Sequence, residues 1–436
     1  MKTAVFWFRR DLRIKDNAGL YHALKSNGSV LPVFIFDTDI LKRFSDPLDK
    51  RVLFIYQRLL QLKAELQEIG SDLFVYYGQP VKILESLIKE FKVASVYCNH
   101  DYEPSAIQRD TEIRQVLDKK GIEFESFKDH VIFEKYEILT DAKKPYTVYT
   151  PYKNKWLKTL SPFYLKSYPS EKWTVSFLKK VKAPEWPSLE SMGYKSSNFS
   201  FPLTTIKKSI LKNYANDRDF PALNGTTLLG MHLRFGTVSI RQLATVAKDV
   251  SAVWLSELIW RDFFIQILFH FPHVVTSSFR PIYDQIDWST SESDLQKWVD
   301  GRTGYPIVDA GMRELNSTGH MHNRVRMIVA SFLTKHLLIH WSKGEKYFSE
   351  KLLDYDLAAN NGNWQWAAGS GCDAAPYFRI FNPYTQTERF DPDLKYVKKW
   401  VPEFGTEKYT APMVDHEFAR KRALTEFQKV LRAEKK

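Results

Sequence analysis

The densest chemistry in the chain lies between Leu353 and Pro383, LDYDLAANNGNWQWAAGSGCDAAPYFRIFNP. Adjacent asparagines, several glycines, two tryptophans around one glutamine and a Pro-Tyr-Phe-Arg run fall within 31 positions. A segment built only for a core would be more aliphatic. Trp364 and Trp366 bring planar surfaces. Asn360, Asn361 and Asn363 bring neutral hydrogen-bond groups that cannot serve as general bases. That combination suits a bound planar heterocycle and redox or light chemistry. The competing reading, a glycine-rich turn beside buried aromatics, stays open on composition alone.

Two further stripes carry possible chemistry. Glu257, Trp260 and Arg261 stand at i, i+3 and i+4 of a helical pattern and share one face. Tryptophan can stack on a base and arginine can hold a phosphate. His320, Asn323, Arg324 and Met327 fall at i, i+3, i+4 and i+7 of a second helical pattern. Methionine there can cradle an irregular apolar ligand, and Asn and Arg can clamp a polar one. Taken alone, the first stripe reads first as a core tryptophan flanked by a surface ion pair, and the second as plain core. Glu257 with Asp354 or Asp356 could form a carboxylate pair, but that chemistry needs a separation that sequence does not give. G-x-S-x-G, H-E-x-x-H and CxxC are all absent, so hydrolysis by those devices is not supported.

Positioning such side chains needs more than one domain, and 436 residues suffice for two or more. Aromatics make up 15% of the chain, and 11 of the 12 tryptophans follow residue 150. Cys98 and Cys372 offer neither a disulfide framework nor a zinc spacing, which points to a reducing compartment. No apolar run reaches 18 residues, and the opening MKTAVFWFRRDLR lacks a secretory leader's plan. The net charge is +12. Residues 1–130 carry 20 Lys+Arg against 19 Asp+Glu, whereas 131–205 carry 12 against 6 and the remainder 31 against 26. The excess lies beyond the first domain, among the aromatics, and fits a polyanion such as nucleic acid or else a solubility surface.

The first ~130 residues alternate strand and helix patterns. Strands are expected at Ala4–Phe8, Val30–Phe36, Asp72–Tyr77, Ser95–Asn99 and Glu123–Ser126. Amphipathic helices are expected at Asn17–Lys25, Lys50–Ile69, Pro80–Phe91 and Pro104–Lys119. This is a doubly wound α/β domain with a parallel, Rossmann-like sheet, but without a G-x-G-x-x-G or P-loop fingerprint. Residues 131–205 read as an interdomain linker with scattered Pro, Ser and Lys. From 206 to 436 the pattern is all helical: 242–248, 253–271, 295–300, 308–317, 324–340 and 347–353, with a short charged helix or tail at the end.

Four blocks carry a resemblance: FWFRRDLRIKDN, SELIWRDFF, GRTGYPIVDAGMRELNSTGHMHNRVRM, and the Leu353–Pro383 segment. Long and in order, they make the chain resemble the photolyase/cryptochrome family from end to end, most closely class I cyclobutane pyrimidine dimer photolyases. The resemblance implies an α/β antenna domain (1–130) and a helical catalytic domain (206–436) holding FAD. It implies light-driven splitting of cis-syn pyrimidine dimers by electron transfer from reduced FAD to a flipped-out lesion. UV-damaged DNA is the implied partner, with a cytoplasmic monomer, nucleoid-associated on DNA, and no obligate protein partner.

By the same resemblance, Glu257, Trp260, Asn323, Arg324, Met327 and Trp366 line the lesion pocket. Tyr214, Thr226, Thr227, Leu228, Arg261, Asn323, Arg326, Asp354, Asp356 and Asn360 hold FAD, with Asn360 facing flavin N5. Trp288, Trp341 and Trp364 match the electron-transfer triad. Arg218, Arg261, Arg324 and Arg379 match DNA-phosphate contacts. An antenna chromophore, whether deazaflavin, FMN or folate, would touch residues such as Arg9, Phe36, Arg51 and Asp101. Three departures stand out: Gly230 ends GTTLLG where relatives have Ser, His320 replaces a bulky aromatic, and Ser105-Ala106 replaces the Asn-Glu of folate-binding relatives. A (6-4) photolyase is disfavoured by the Asn323/Arg324/Met327 stripe and a cryptochrome photoreceptor by Asn360. A plain single-strand binder would leave NNGNWQW unexplained.

Overall fold

The computed structural model describes residues 3–433. The chain forms two compact units that interleave along the sequence. The first comprises residues up to Glu134, then Leu160–Thr205 and Leu228–Lys248. The second comprises Lys135–Thr159, Ile206–Thr227 and everything from Asp249.

In the first unit five strands, β1 (Thr3–Phe8), β2 (Val30–Asp37), β3 (Phe74–Gly78), β4 (Val93–Asn99) and β5 (Glu123–Phe127), form one parallel sheet in the order β3-β2-β1-β4-β5. β1 and β2 are buried at every residue, as a sheet covered on both faces requires. Helices Ala18–Ser26, Lys50–Glu68, Pro80–Phe91 and Pro104–Asp118 connect the strands. The alternating pattern of the sequence is thus the α/β fold observed. At the β1/β4 switch point, where such folds often leave a ligand crevice, the Asn99 amide donates to Asp11 (2.5 Å) and Asn17 (2.8 Å) and accepts from the Gly19 N–H (2.8 Å). Arg13 and Arg241 converge on Asp129 at 2.6 and 2.8 Å. Their charges hold its carboxyl below the ordinary range although burial pushes it up.

The expected boundary at 205 falls at the end of the Leu160–Thr205 piece, and that at 130 just short of Glu134, but the residues between them divide between the two units instead of forming a linker. Much of 160–205 packs on the sheet: Phe177 bridges Val30, the Ala183 N–H donates to Asp72, and the Trp186 indole donates to the Leu73 carbonyl. Residues 149–159, read as linker, are a helix, Tyr149–Thr159, of the second unit.

The second unit is helical, around a core that includes fully buried Trp298, Tyr305, Phe332, Trp341 and Trp364. Its central helix, Ala252–His270, is capped by Ser251 and buries eleven residues. Two glycines permit close packing: a Cβ at Gly362 would drive into the Phe264 ring, and one at Gly344 into Trp364. One expectation fails here. The helix expected over 324–340 ends as an α-helix at Ser331, widens into a π-turn at Phe332–His336, and breaks where Leu338 adopts φ 50° and Ile339 bridges Ser289. The apolar run that suggested one helix instead buries a bend. The charged end, expected as a short helix or tail, is a helix longer than expected, His416–Ala433 (18 residues), that buries Ala423, Phe427 and Val430.

Candidate functional site

A cleft in the helical unit encloses about 580 Å³, part of it open to solvent. Its walls include Asn323, Arg326, Met327, Asp354, Asp356, Asn360, Trp364 and Trp366. Eight residues picked out in two distant sequence blocks therefore line one space. Helix Leu357–Ala368 delivers the second block; Asp356 caps it through the Ala359 N–H, and Gly369 (φ 84°) ends it. Helix Asn323–Ser331, capped by His322, delivers the first. His320 precedes that cap, so it does not share the helical stripe expected for it. It lies 3.5 Å from Glu314 instead.

The cleft pairs aromatic walls with fixed polar groups. Arg326 donates to both oxygens of Asp354 (3.1 and 2.9 Å). Asn360 donates its amide to the Glu345 carboxylate (2.9 Å) and carbonyl (3.1 Å). Burial pushes the Glu345 carboxyl up, and the Asn360 hydrogen bond opposes that shift. A neutral amide held this way, a guanidinium–carboxylate pair and two indoles form a donor set that fits a flavin ring. Not every asparagine of the block serves the cleft. Asn361 and Gln365 both donate to the Val274 carbonyl, locking the helix to its neighbour.

On the Ala252–His270 helix, Glu257, Trp260 and Arg261 occupy successive turns as expected. Arg218 donates to Glu257, forming an ion pair only about one-third exposed. Burial pushes the Glu257 carboxyl above its ordinary range, and Arg218 opposes that shift. Arg324 donates to Asp219 (2.8 Å), stands 4.3 Å over the Phe390 ring, and lies 3.8 Å from the Met327 sulfur. Two arginines assigned to phosphates are therefore already paired with carboxylates. Arg379 is exposed, 5.5 Å over Phe381. Arg261 is half-buried.

Among the tryptophans, Trp364 packs edge-on against Phe348 and Trp298. Trp341 donates to Ser278 (3.2 Å), and its ring lies 5.2 Å from His340. Trp288 stands edge-to-face on the same imidazole at 5.2 Å. Tyr214 lies under the Arg218 guanidinium at 5.8 Å. Thr226 and Thr227 are half-buried, and Leu228 is exposed with φ 53°, a conformation non-glycine residues rarely adopt.

In the α/β unit, the residues suggested for an antenna have separate engagements. Arg9 binds Asp110 (2.6 Å), Arg51 binds Asp49 (2.5 Å), Asp101 binds Arg10 (3.1 Å), and buried Phe36 stacks toward Tyr56. Sequence reasoning missed Tyr149, Asp219, Glu345 and His340. His340, Asp219 and Glu345 stand one, one and four positions from the named Trp341, Arg218 and Trp341, which was their only signal; Tyr149 comes from a distant segment. Among the described residues, no group of three or more His, Cys, Asp or Glu could hold a metal ion, and no helix is long and apolar enough to cross a membrane.

The sequence matches the DNA photolyase domain over residues 4–172 and the FAD binding domain of DNA photolyase over 254–407. It is 36% identical to the deoxyribodipyrimidine photo-lyase of Halobacterium salinarum, covering 98% of each chain. The fold is similar to a class III photolyase from Agrobacterium tumefaciens (TM-score 0.86, 33% identity, 99% of this chain and 98% of that one). It is also similar to a photolyase from Sulfolobus tokodaii solved with two FAD molecules (TM-score 0.80, 34% identity, 98% of this chain and all of that one). With both units matched and identity of this order along nearly its whole length, the chain belongs to the DNA photolyase family.

Proposed function

We propose that the cleft of the helical unit and the adjoining Glu257–Trp260 face carry out light-driven repair of DNA. The chain is a deoxyribodipyrimidine photolyase, which splits cyclobutane pyrimidine dimers. Reduced FAD, when bound, supplies the light-excited electron that opens the cyclobutane ring. The observation that carries the residue assignment is the convergence of Asn323, Arg326, Met327, Asp354, Asp356, Asn360, Trp364 and Trp366 on one cleft.

In this reading Arg326, Asp354, Asp356 and Asn360 hold the flavin, and Tyr214, Thr226, Thr227, Leu228 and Arg261 hold the rest of FAD. Asn360 presents a neutral group that cannot deliver a proton readily. Trp260, Trp366 and Met327 form the apolar wall for a flipped-out dimer, whose extrusion costs least at a damaged, poorly stacked site. Glu257, Asn323 and Arg324 supply the polar clamps. Trp364, Trp341 and Trp288 relay electrons, and Arg218, Arg261, Arg324 and Arg379 meet the DNA backbone. The α/β unit carries the antenna, for which the second FAD of the Sulfolobus protein makes a flavin the first chromophore to test. The enzyme works as a monomer in the cytoplasm, on the nucleoid when bound to DNA; its net charge of +12 supports that partner.

The test illuminates the FAD-reduced enzyme with an oligonucleotide containing one cis-syn thymine dimer, and separately with one containing a (6-4) product. Restored thymine from the first alone is expected; repair of only the second would overturn the pocket assignment. Glu257→Ala should lower repair yield with lesion binding largely kept. Trp260→Ala should weaken lesion binding by the ~1–3 kcal/mol of a base–aromatic stack.

A further inference from the structure

The strongest unused feature in the helical unit is a flat pair of rings. Tyr149 and Trp260 lie face to face with centroids 3.5 Å apart and planes 6° from parallel. At that separation and angle the phenol ring is in flat contact with one face of the indole, and Phe264 also stacks on Trp260, at 5.4 Å and 24°. Tyr149 is itself fixed from three sides. Its N–H donates to Asp373 (2.9 Å), its hydroxyl donates to the Ser256 carbonyl (2.8 Å) and lies 2.6 Å from the Ser256 hydroxyl, and Phe263 meets its ring edge-on at 5.8 Å. Ser256 stands one turn before Trp260, and Phe263 nearly one turn after. Tyr149 therefore packs along the Ser256–Trp260–Phe263 ridge, while Glu257 stands on the neighbouring flank.

We propose that Tyr149 is a positioning residue for lesion capture, backing Trp260 so that the indole is already oriented for the flipped-out dimer. The proposal rests on reading Trp260 as part of the lesion wall. A half-exposed tryptophan has several rotamers, and fixing one of them when ligand binds costs affinity. A ring clamped behind the indole removes that cost beforehand. The segment that supplies Tyr149 is anchored separately: the Trp156 indole donates to Asp262 (3.0 Å) on the same central helix. That anchor makes the backing plate part of the unit's rigid core. Tyr149 touches no reacting atom in this account; it acts through Trp260.

The test uses the full-length, FAD-loaded protein in the dark. Equilibrium binding is measured for a duplex with one cis-syn thymine dimer and for the same duplex undamaged. The variants are Tyr149→Leu, Tyr149→Phe and Trp260→Ala. Tyr149→Leu should weaken dimer binding about 3- to 10-fold with undamaged-DNA affinity unchanged. Tyr149→Phe keeps the flat ring and should recover wild-type discrimination to within about twofold. Dimer binding by Tyr149→Leu equal to or tighter than wild type, with Trp260→Ala still weakened, overturns the proposal; tighter binding would make Tyr149 a plug. Equal loss on both duplexes, or no rescue by Tyr149→Phe, overturns it in favour of a fold defect. Unchanged dimer binding in Trp260→Ala sinks the lesion-wall reading first. If Tyr149→Leu does not fold, Tyr149→Met is read by the same criteria.

Discussion

Arg218 donates a hydrogen bond to Glu257, so an arginine assigned to the DNA backbone holds the carboxylate assigned to the lesion. Burial pushes the Glu257 carboxyl up, and Arg218 is the largest influence pulling it down. Arg218→Ala should therefore move Glu257 to a higher pKa, with the protonated acid persisting to higher pH. Infrared titration of the carboxyl band that disappears in Glu257→Gln measures this directly. A pure phosphate contact behaves differently: its loss lowers the slope of log K against log salt by about one and leaves Glu257 alone. An unmoved Glu257 titration in Arg218→Ala would assign Arg218 to DNA only.

Asn360 and Glu345 set a second electrostatic trap. The carboxyl of Glu345 is already pushed up by burial, with the Asn360 hydrogen bond opposing. Asn360→Asp would replace that donor with a like charge about 3 Å from the Glu345 carboxylate. One of the two acids must then keep its proton in the folded state. The folded protein would bind more protons than the unfolded chain above the usual carboxylate range, so its stability should fall as pH rises through the raised pKa. Thermal midpoints of Asn360→Asp should drop relative to wild type from about pH 5 to 8, and the Glu345→Gln double variant should remove the drop. Parallel midpoints of Asn360→Asp and wild type across that range would show that the pair is solvated rather than trapped.

How much of this was legible in the sequence follows from the range of each interaction. The parallel sheet was readable because β1 and β2 are apolar at every residue but Thr3 and Asp37 and the intervening helices are regularly spaced. The cleft was readable because its residues sit in two contiguous blocks. Tyr149 was not: it lies 111 residues from Trp260, in a stretch whose Pro, Ser and Lys content reads as linker. The π-turn at Phe332–His336 was hidden because a buried bend and a buried helix share the same apolar composition. Arg218 was assigned to DNA by the family resemblance, and nothing in the sequence shows its Glu257 partner, 39 positions away.

That hidden bend buries His336 completely, and its Nε2 meets His416 Nδ1 at 2.8 Å. Burial first, then the positive potentials of His416 and Arg422, lowers its pKa to about 3. The folded state thus excludes a proton that the unfolded chain binds near pH 6.5. Stability is fully present above that pH and is lost as pH falls, at a limit of ~1.4 kcal/mol per pH unit for this one group. His336→Phe keeps a ring stacked near Phe332 but has nothing to titrate. Its unfolding free energy should decline less steeply than wild type between pH 6 and 4. His322, lowered to about 4 chiefly by burial, leaves a residual slope in both proteins. Identical slopes in denaturant titrations would mean that the His336–His416 contact opens before it titrates.

Trp288 and Trp341 both border the His340 imidazole, each at 5.2 Å, whereas Trp364 lines the cleft. This arrangement separates two processes that share the flavin. On the proposed reading, lesion repair needs the cleft and the adjoining Trp260 face, and neither Trp288 nor Trp341. Refilling the flavin from outside needs oxidisable rings leading outward from the cleft wall. Trp364→Phe should slow photoreduction of bound oxidised FAD by at least about tenfold, a loss of ~1.4 kcal/mol or more in barrier terms, while chemically reduced enzyme repairs dimers at nearly the wild-type yield. Trp288→Phe should do the same with a smaller defect, because Trp341 still lies behind it. Flavin absorbance under blue light in the presence of a thiol reads the first process, and thymine recovery after dithionite reduction reads the second. Photoreduction that survives in Trp364→Phe would place the outward path on other rings, with Phe348 and Trp298, which pack on Trp364, marking where to look.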